Sequence, residues 1–385
     1  MIIGIDASRA FIKNRTGIEE YSYQVIKHLV NELKGHEVVL YLRKNSANYE
    51  FDADARMIDN VKLPANWKLK VIKWPRFWTQ GGLSLEMLLN PVDVLFVPAH
   101  TVPFIHPENT AVTIHGLEYE FCSGAYSLWE KIYMRCSIKN SCRWAKTIIT
   151  VSNNTRKDLV KLYGIDESKI KVIYEGCGSN DNLQTAGDKP NSNVKSRISN
   201  TEYRIPDTKY IFFVGRLEER KNIIGIVSAF EVLKEHYKIP HKLVLAGKPG
   251  YEYGKIKEAI ANSNYTKEIV ELGFVGGGEK KELLKNADVF VFPTFYEGFG
   301  LPILEAQSVG TSVVTSNVSS IPEVAGDSAL LVDPNNAEEI ADAIYKILTN
   351  EKTKEDIIQK GLENVKRFSW SKCAREVRSI LNIGN

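Results

Sequence analysis

Asp288-Val289-Phe290-Val291-Phe292-Pro293 is an apolar run closed by a proline, and four residues later comes Glu297-Gly298-Phe299-Gly300-Leu301-Pro302-Ile303-Leu304-Glu305. The run reads as a buried strand. Gly298 and Gly300 mark a turn where backbone can approach a ligand closely. Pro302 suits the first position of a helix, and Gly310 closes that helix before the next apolar run, Thr311–Thr315. Strand, glycine loop and helix start form the repeating unit of a parallel sheet covered by helices on both faces. The expected class is α/β, in the form of doubly wound, Rossmann-like sheets.

The same alternation extends in both directions. Before it, strands are expected at Tyr210–Gly215, Lys242–Ala246 and Glu268–Phe274, and after it at Ala329–Val332. In the first half they fall at Ile2–Asp6, Glu37–Leu42, Lys70–Ile72, Val92–Val97, Thr110–Ile114, Thr147–Val151 and Lys171–Ile173. Helices are expected over Ile18–Leu33, Leu128–Lys146 and Asn153–Tyr163. From Gly176 to Pro206 the periodicity gives way to Ser, Asn, Asp, Gly and Lys, as in a linker. The expected division is a first domain over 1–185, a linker over 186–206, a second domain over 207–366, and a C-terminal helix over 367–385 that crosses back to the first. At 385 residues two cores are the ordinary expectation, with a ligand cleft between them.

Composition narrows the function. Apolar residues make up 43% and charged residues 25%, inside the globular range, and no apolar run has the length of a membrane span. A formal charge of +3 gives no argument for nucleic acid. The N-terminus, Met1-Ile2-Ile3-Gly4-Ile5-Asp6, reads as a first strand rather than a signal peptide. Five scattered cysteines without C-x-x-C spacing indicate neither a disulfide framework nor a zinc site. A cytoplasmic protein fits.

A glycine loop running into a helix start offers unpaired N–H groups and a positive dipole end, which suit a diphosphate. Glu305 is expected in the first helical turn, with Glu297 in the loop before it. Two carboxylates flanking such a helix start suit a ligand with phosphate in the middle and hydroxyls at both ends. Gly215-Arg216-Leu217-Glu218-Glu219-Arg220-Lys221-Asn222 adds cations at a strand's C-terminal end, where open α/β sheets bind ligands. Arg216 and Lys221 are expected at the ligand, and Arg220 in solvent.

Glu297 through Glu305 resembles the paired-glutamate motif of family-four retaining glycosyltransferases, and Gly215–Asn222 resembles that family's Gly-Arg-four-residues-Lys-Asn signature. The resemblance implies the GT-B fold, two facing Rossmann-like domains with the acceptor on the first and a sugar nucleotide on the second. It implies that Glu305 binds the ribose and Glu297 faces the donor sugar. It also implies that the backbone of Phe299, Gly300 and Leu301 takes sugar and phosphate oxygens, and that Arg216 and Lys221 contact the phosphates. Gly17, in Arg15-Thr16-Gly17-Ile18, resembles the family's first glycine loop, and a plain N-cap glycine is the other reading. Gly247, after Lys242–Ala246, is expected under the nucleotide. His115 resembles the family's active-site histidine near the donor sugar, with Gly116 where the family often has Asp. Asn317-Val318-Ser319-Ser320 and Ser152 are read as structural.

No metal is expected. Asp52-Ala53-Asp54 has the spacing of a metal-dependent transferase but lacks the preceding apolar strand. No cofactor is expected beyond the sugar-nucleotide substrate, and the first strand lacks the Gly-x-Gly-x-x-Gly of a dinucleotide enzyme. A sugar-nucleotide epimerase or a non-catalytic sugar-nucleotide-binding partner is the alternative. The wording around Val97–Pro103 and Asn317–Pro334 resembles mannosyltransferases of the family. That implies mannose from GDP-mannose, or another hexose from UDP, passed to a saccharide or lipid-linked saccharide in cell-surface polysaccharide synthesis. Lys131, Arg135, Lys139 and Arg143 form a tilted basic stripe on one helix, read either as contact with an anionic membrane at the inner face or as a solvated face. Trp74, Phe77 and Trp78 are read either as a stacking platform for acceptor sugars or as buried packing.

Overall fold

The structure, a computed structural model, describes residues 1–12, 15–43, 51–52, 56–58, 60–178 and 209–381. The expected linker at 186–206, and Ala53 and Asp54 of the Asp-x-Asp spacing, lie outside the described residues. The chain folds into two compact units: Met1–Leu117 with Ser127–Thr185 and Phe368–Asn385, and Glu118–Tyr126 with Ala186–Arg367.

The first unit holds β1 (Ile2–Asp6), β2 (Glu37–Arg43), a small antiparallel ribbon of β3 (Phe51–Asp52), β4 (Met57–Ile58) and β5 (Val61–Lys62), then β6 (Trp67–Ile72), β7 (Val94–Val97), β8 (Asn109–Ile114), β9 (Thr147–Thr150) and β10 (Ile170–Val172). Seven of these form one sheet in the order β10-β9-β8-β7-β1-β2-β6, every pair parallel. The second unit holds β11 (Tyr210–Val214), β12 (Lys242–Ala246), β13 (Ile269–Gly273), β14 (Val289–Phe292), β15 (Val313–Ser316) and β16 (Leu330–Val332), parallel in the order β13-β12-β11-β14-β15-β16. In both sheets the first strand is central and the order reverses beside it, between β1 and β7 and between β11 and β14. That reversal opens a crevice at the strands' C-terminal ends.

The chemistry of the central strands explains their place. All five residues of β11 and all four of β14 are buried, as befits strands covered on both faces. Phe213 and Phe292 stack across the pair with ring centres 5.8 Å apart. The tail forms three helices, Ala337–Thr349, Glu351–Asn364 and Trp370–Ile380. The last belongs to the first unit and packs on helix Gly17–Glu32. A Cβ at Gly176 would stand 2.2 Å from the Trp370 amide nitrogen, so only glycine lets the strand-exit loop pass that helix start. A π-helical turn at Thr79–Leu83 leading into helix Ser84–Leu89, and a short helix at Glu118–Phe121, have no counterpart in the sequence expectations.

Candidate active site

The loops after β11 and β14 meet at the second unit's strand reversal. A single 3₁₀ turn, Glu219–Lys221, ends on Asn222 at φ 58°. The Asn222 side-chain amide donates to the carbonyls of Pro293 at 3.0 Å and Pro334 at 2.6 Å, tying this loop to the exit of β14. Lys221 Nζ donates to Glu297 Oε1 at 2.5 Å and lies 4.9 Å from the centre of the Phe292 ring. Arg220 Nη1 donates to the same oxygen at 2.9 Å and to the Tyr296 carbonyl at 2.6 Å, while its Nε and Nη2 fork onto Glu218 Oε1. Both cations converge on Oε1, and among the described residues no donor reaches Oε2.

Burial opposes charge on Glu297, but Arg220 and Lys221 outweigh it and hold the carboxyl below the ordinary glutamate range. Burial and the neighbouring Arg220 push Lys221 below the usual lysine value against the pull of Glu297. For Arg220, burial is overcome by Glu297 and Glu218, and the guanidinium is held still more firmly in its charged form.

This corrects one expectation directly. Arg220 is not solvated: its side chain is 18% exposed, whereas that of Arg216 is 56% exposed and stands 4.0 Å from Glu218. Arg220 and Lys221 lie within the 3₁₀ turn that abuts the β14 loop, and both reach Glu297, whereas Arg216 precedes that turn.

The β14 loop is held from one side by Ser319 and Ser320. The Glu297 N–H donates to Ser319 Oγ at 2.9 Å, and Ser320 Oγ donates to the carbonyls of Glu297 and Phe299, each at 2.9 Å. Gly300, at φ 114°, is the N-cap of helix Leu301–Ser308, which carries Pro302 in its first turn. The loop backbone at Phe299, Gly300 and Leu301 thus leads into a helix start where Pro302 carries no N–H and the Ile303 N–H donates to the Gly300 carbonyl at 3.0 Å. Glu305 lies in the second turn of that helix, not the first, because the helix begins at Leu301. Its Oε1 pairs closely with Lys280 Nζ of helix Gly277–Asn286, a partner 25 residues away in sequence. Gly247 has a structural reason of its own: a Cβ there would stand 1.7 Å from the Gly215 carbonyl oxygen.

In the first unit, Thr16 is the N-cap of helix Gly17–Glu32, with Glu19 completing a capping box, so Gly17 is its first helical residue rather than its cap. A Cβ at Gly17 would meet nothing within 4 Å. His115 follows β8, with Nδ1 3.3 Å from Glu175 Oε1 and Nε2 2.8 Å from the Pro98 carbonyl oxygen. The Tyr21 ring meets it edge-on at 4.6 Å. Both ring nitrogens face acceptor oxygens, so the imidazole is oriented from two sides. Glu175 was not expected here; its place just past the last strand of the first sheet is the only trace of it in the sequence. Ser152 caps helix Asn153–Tyr163, its Oγ accepting from Thr155 N at 3.1 Å. Trp78 is buried and donates to the Ile72 carbonyl, while Trp74 and Phe77 are exposed. Among the described residues no three His, Cys, Asp or Glu side chains group as a metal site, and no helix is long and apolar enough to cross a membrane.

A family model described as glycosyl transferases group 1 matches residues 194–364, across the β11 and β14 loops, and one described as Glycosyltransferase Family 4 matches residues 15–177. The O-antigen chain mannosyltransferase B of Escherichia coli is 32% identical over 269 residues, 70% of this chain and 69% of that protein. The chain belongs to the family-four glycosyltransferases. At the level of fold this glycosyltransferase is similar to the sucrose-phosphate synthase of Thermosynechococcus elongatus, with a TM-score of 0.74, 18% identity and coverage of 98% and 97% of the two chains. It is similar also to Anabaena HepE solved in complex with UDP-glucose, with a TM-score of 0.69, 14% identity and 98% of each chain covered. These likenesses assign the glycosyltransferase to the GT-B class of two Rossmann-like units.

Proposed function

We propose that the chain transfers a hexose from a nucleotide diphosphate to a saccharide or lipid-linked saccharide acceptor, with retained anomeric configuration and without a metal ion, in cell-surface polysaccharide synthesis. The observation that carries this reading is Glu297 at the β11/β14 reversal: one carboxylate oxygen held by Lys221 and Arg220, the other without a donor among the described residues. An acceptor-only oxygen so fixed suits a sugar hydroxyl. The helix start at Leu301–Pro302, with Lys221 nearby, supplies positive charge for a departing diphosphate, and the more exposed Arg216 adds to it. Glu305 binds the ribose in this scheme and shares its carboxylate with Lys280. His115, oriented by Glu175, faces the donor sugar. The departing phosphate itself helps to deprotonate the acceptor hydroxyl, as the family resemblance implies.

Mannose from GDP-mannose is the proposed donor pair, supported by the likeness to the O-antigen chain mannosyltransferase of Escherichia coli. The proposed location is the cytoplasm, at the inner face of the membrane. Leu128, Trp129, Ile132 and Tyr133 are exposed on helix Leu128–Trp144, Trp129 at 79%, and Arg135 and Arg143 are exposed on the same helix. Exposed apolar and aromatic side chains interleaved with cations suit an anionic lipid surface.

The test is transfer itself: GDP-mannose and UDP-hexoses are incubated with lipid-linked saccharides with and without EDTA, and product linkage is read by NMR. A new α-linked hexose formed equally in both is expected. An inverted linkage, or transfer that EDTA abolishes and magnesium restores, overturns the mechanism; conversion of the donor without acceptor to an epimeric nucleotide sugar overturns the reaction class.

A further inference from the structure

His100 stands on the loop after β7, at the strand reversal of the first unit. Its backbone lies at φ 39°, a region that non-glycine residues rarely occupy, and its N–H is fastened to the Thr113 carbonyl at 2.9 Å. The residue is 8% exposed, and Nδ1 is buried with no hydrogen-bond partner among the described residues. The ring meets that of His115 edge-on at 5.4 Å. A positive φ and an orphaned buried nitrogen each cost stability, and such paired costs gather where a fold keeps a group for a ligand.

The character of the ring narrows what that ligand is. Burial, with His115 and Arg9 adding to it, pushes the His100 imidazole well below the usual histidine range, so at neutral pH one nitrogen donates and the other accepts. A hydroxyl matches that pair of roles, since it too donates and accepts. Phosphate oxygens accept only, and a metal ion finds no second histidine nitrogen, because both of those on His115 face Glu175 and Pro98.

We propose that His100 is a substrate-binding residue that hydrogen-bonds a saccharide hydroxyl at the strand reversal of the first unit. This rests on the glycosyl-transfer reading and names a contact within it. The hydroxyl belongs either to the transferred hexose or to the acceptor, and the two are separable.

The test uses His100→Asn, whose side chain tolerates a positive φ, and His100→Gly, which removes the strain altogether. Melting temperatures equal to or above wild type are expected, with kcat/KM for transfer reduced about tenfold or more. Deoxy analogues of donor and acceptor are then assayed with wild type and with His100→Asn. Removing the hydroxyl that His100 contacts costs the wild type activity but costs the variant nothing further. Slower donor hydrolysis in the absence of acceptor assigns the hydroxyl to the hexose; unchanged hydrolysis with a raised acceptor KM assigns it to the acceptor. Wild-type kcat/KM in both variants overturns the inference, as does a loss of activity that tracks a lowered melting temperature and is additive with every deoxy analogue. If wild type itself transfers no hexose from any nucleotide donor, the glycosyl-transfer reading fails and the contact fails with it.

Discussion

Arg220 and Lys221, adjacent in sequence, both donate to a single oxygen of Glu297, at 2.9 and 2.5 Å. Glu297 and Lys221 are buried and Arg220 mostly so, and the cluster works as one unit: removing the carboxylate leaves two cations facing each other, and removing either cation leaves the carboxylate with half its compensation.

Arg220→Ala is therefore expected to destabilise the protein by about 3 kcal/mol, measured by chemical denaturation, since it leaves Glu297 to Lys221 alone and Glu218 to the more distant Arg216. Arg220→Lys recovers only part of this, because a lysine cannot fork between Glu297, Glu218 and the Tyr296 carbonyl. Equal stability in both variants would contradict the shared role.

The pH dependence follows from the depressed carboxyl of Glu297. A group whose folded pKa lies below its unfolded value contributes stability that is complete above the unfolded value, about 4.3, and is lost as pH falls through the folded one. The stability difference between wild type and Glu297→Gln is expected to be constant from neutrality to about pH 5 and to collapse in more acid solution. Denaturation midpoints at a series of pH values read it.

Glu305→Ala is expected chiefly to weaken donor binding and Glu297→Ala chiefly to lower turnover. Lys280→Ala should alter donor affinity in the same assay as Glu305→Ala while leaving turnover nearly unchanged. Titration calorimetry with kinetics separates the cases, and the reverse order for the two glutamates would sink the assignment.

Two glycines give a paired test. Gly300→Ala places a Cβ at φ 114° and 3.1 Å from Ile321 Cδ1, and is expected to cost about 1–3 kcal/mol. Gly17→Ala meets open space at a helical position and should leave stability equal or slightly raised. A fall in activity in Gly17→Ala then reports crowding of a substrate.

Trp129→Ala combined with Arg135→Glu is expected to reduce flotation with vesicles containing anionic lipid while leaving the melting temperature within a few degrees of wild type. Flotation of wild type that ignores anionic lipid makes the helix a solvated face.

Much of the fold was legible because buried parallel strands write themselves as apolar runs: β1 and β12 and helix Asn153–Tyr163 coincide with their expected bounds. The helix Ser84–Leu89 was not, because Leu85, Leu88 and Leu89 are exposed and so give no one-sided apolar period. In the second unit, the meeting of Lys221 with Glu297 follows from topology that sequence spacing alone does not contain. The choice between Arg216 and Arg220 depended on one 3₁₀ turn, and the Lys280 partner of Glu305 on the packing of two helices. Glu175 carries no motif, and His100 lies in the Val97–Pro103 stretch with no spacing that marks its contact; the C-terminal ends of the strands bring both beside His115.

The helix Trp370–Ile380, which packs on helix Gly17–Glu32, sets an order of assembly. Along the chain, the residues of the second unit, up to Arg367, precede the helix that closes the first. The first unit therefore keeps part of its apolar surface uncovered until residues that follow the whole second unit are made. A stop codon placed before Trp370 removes nothing from the second unit, yet the unit left incomplete is the one whose synthesis began first.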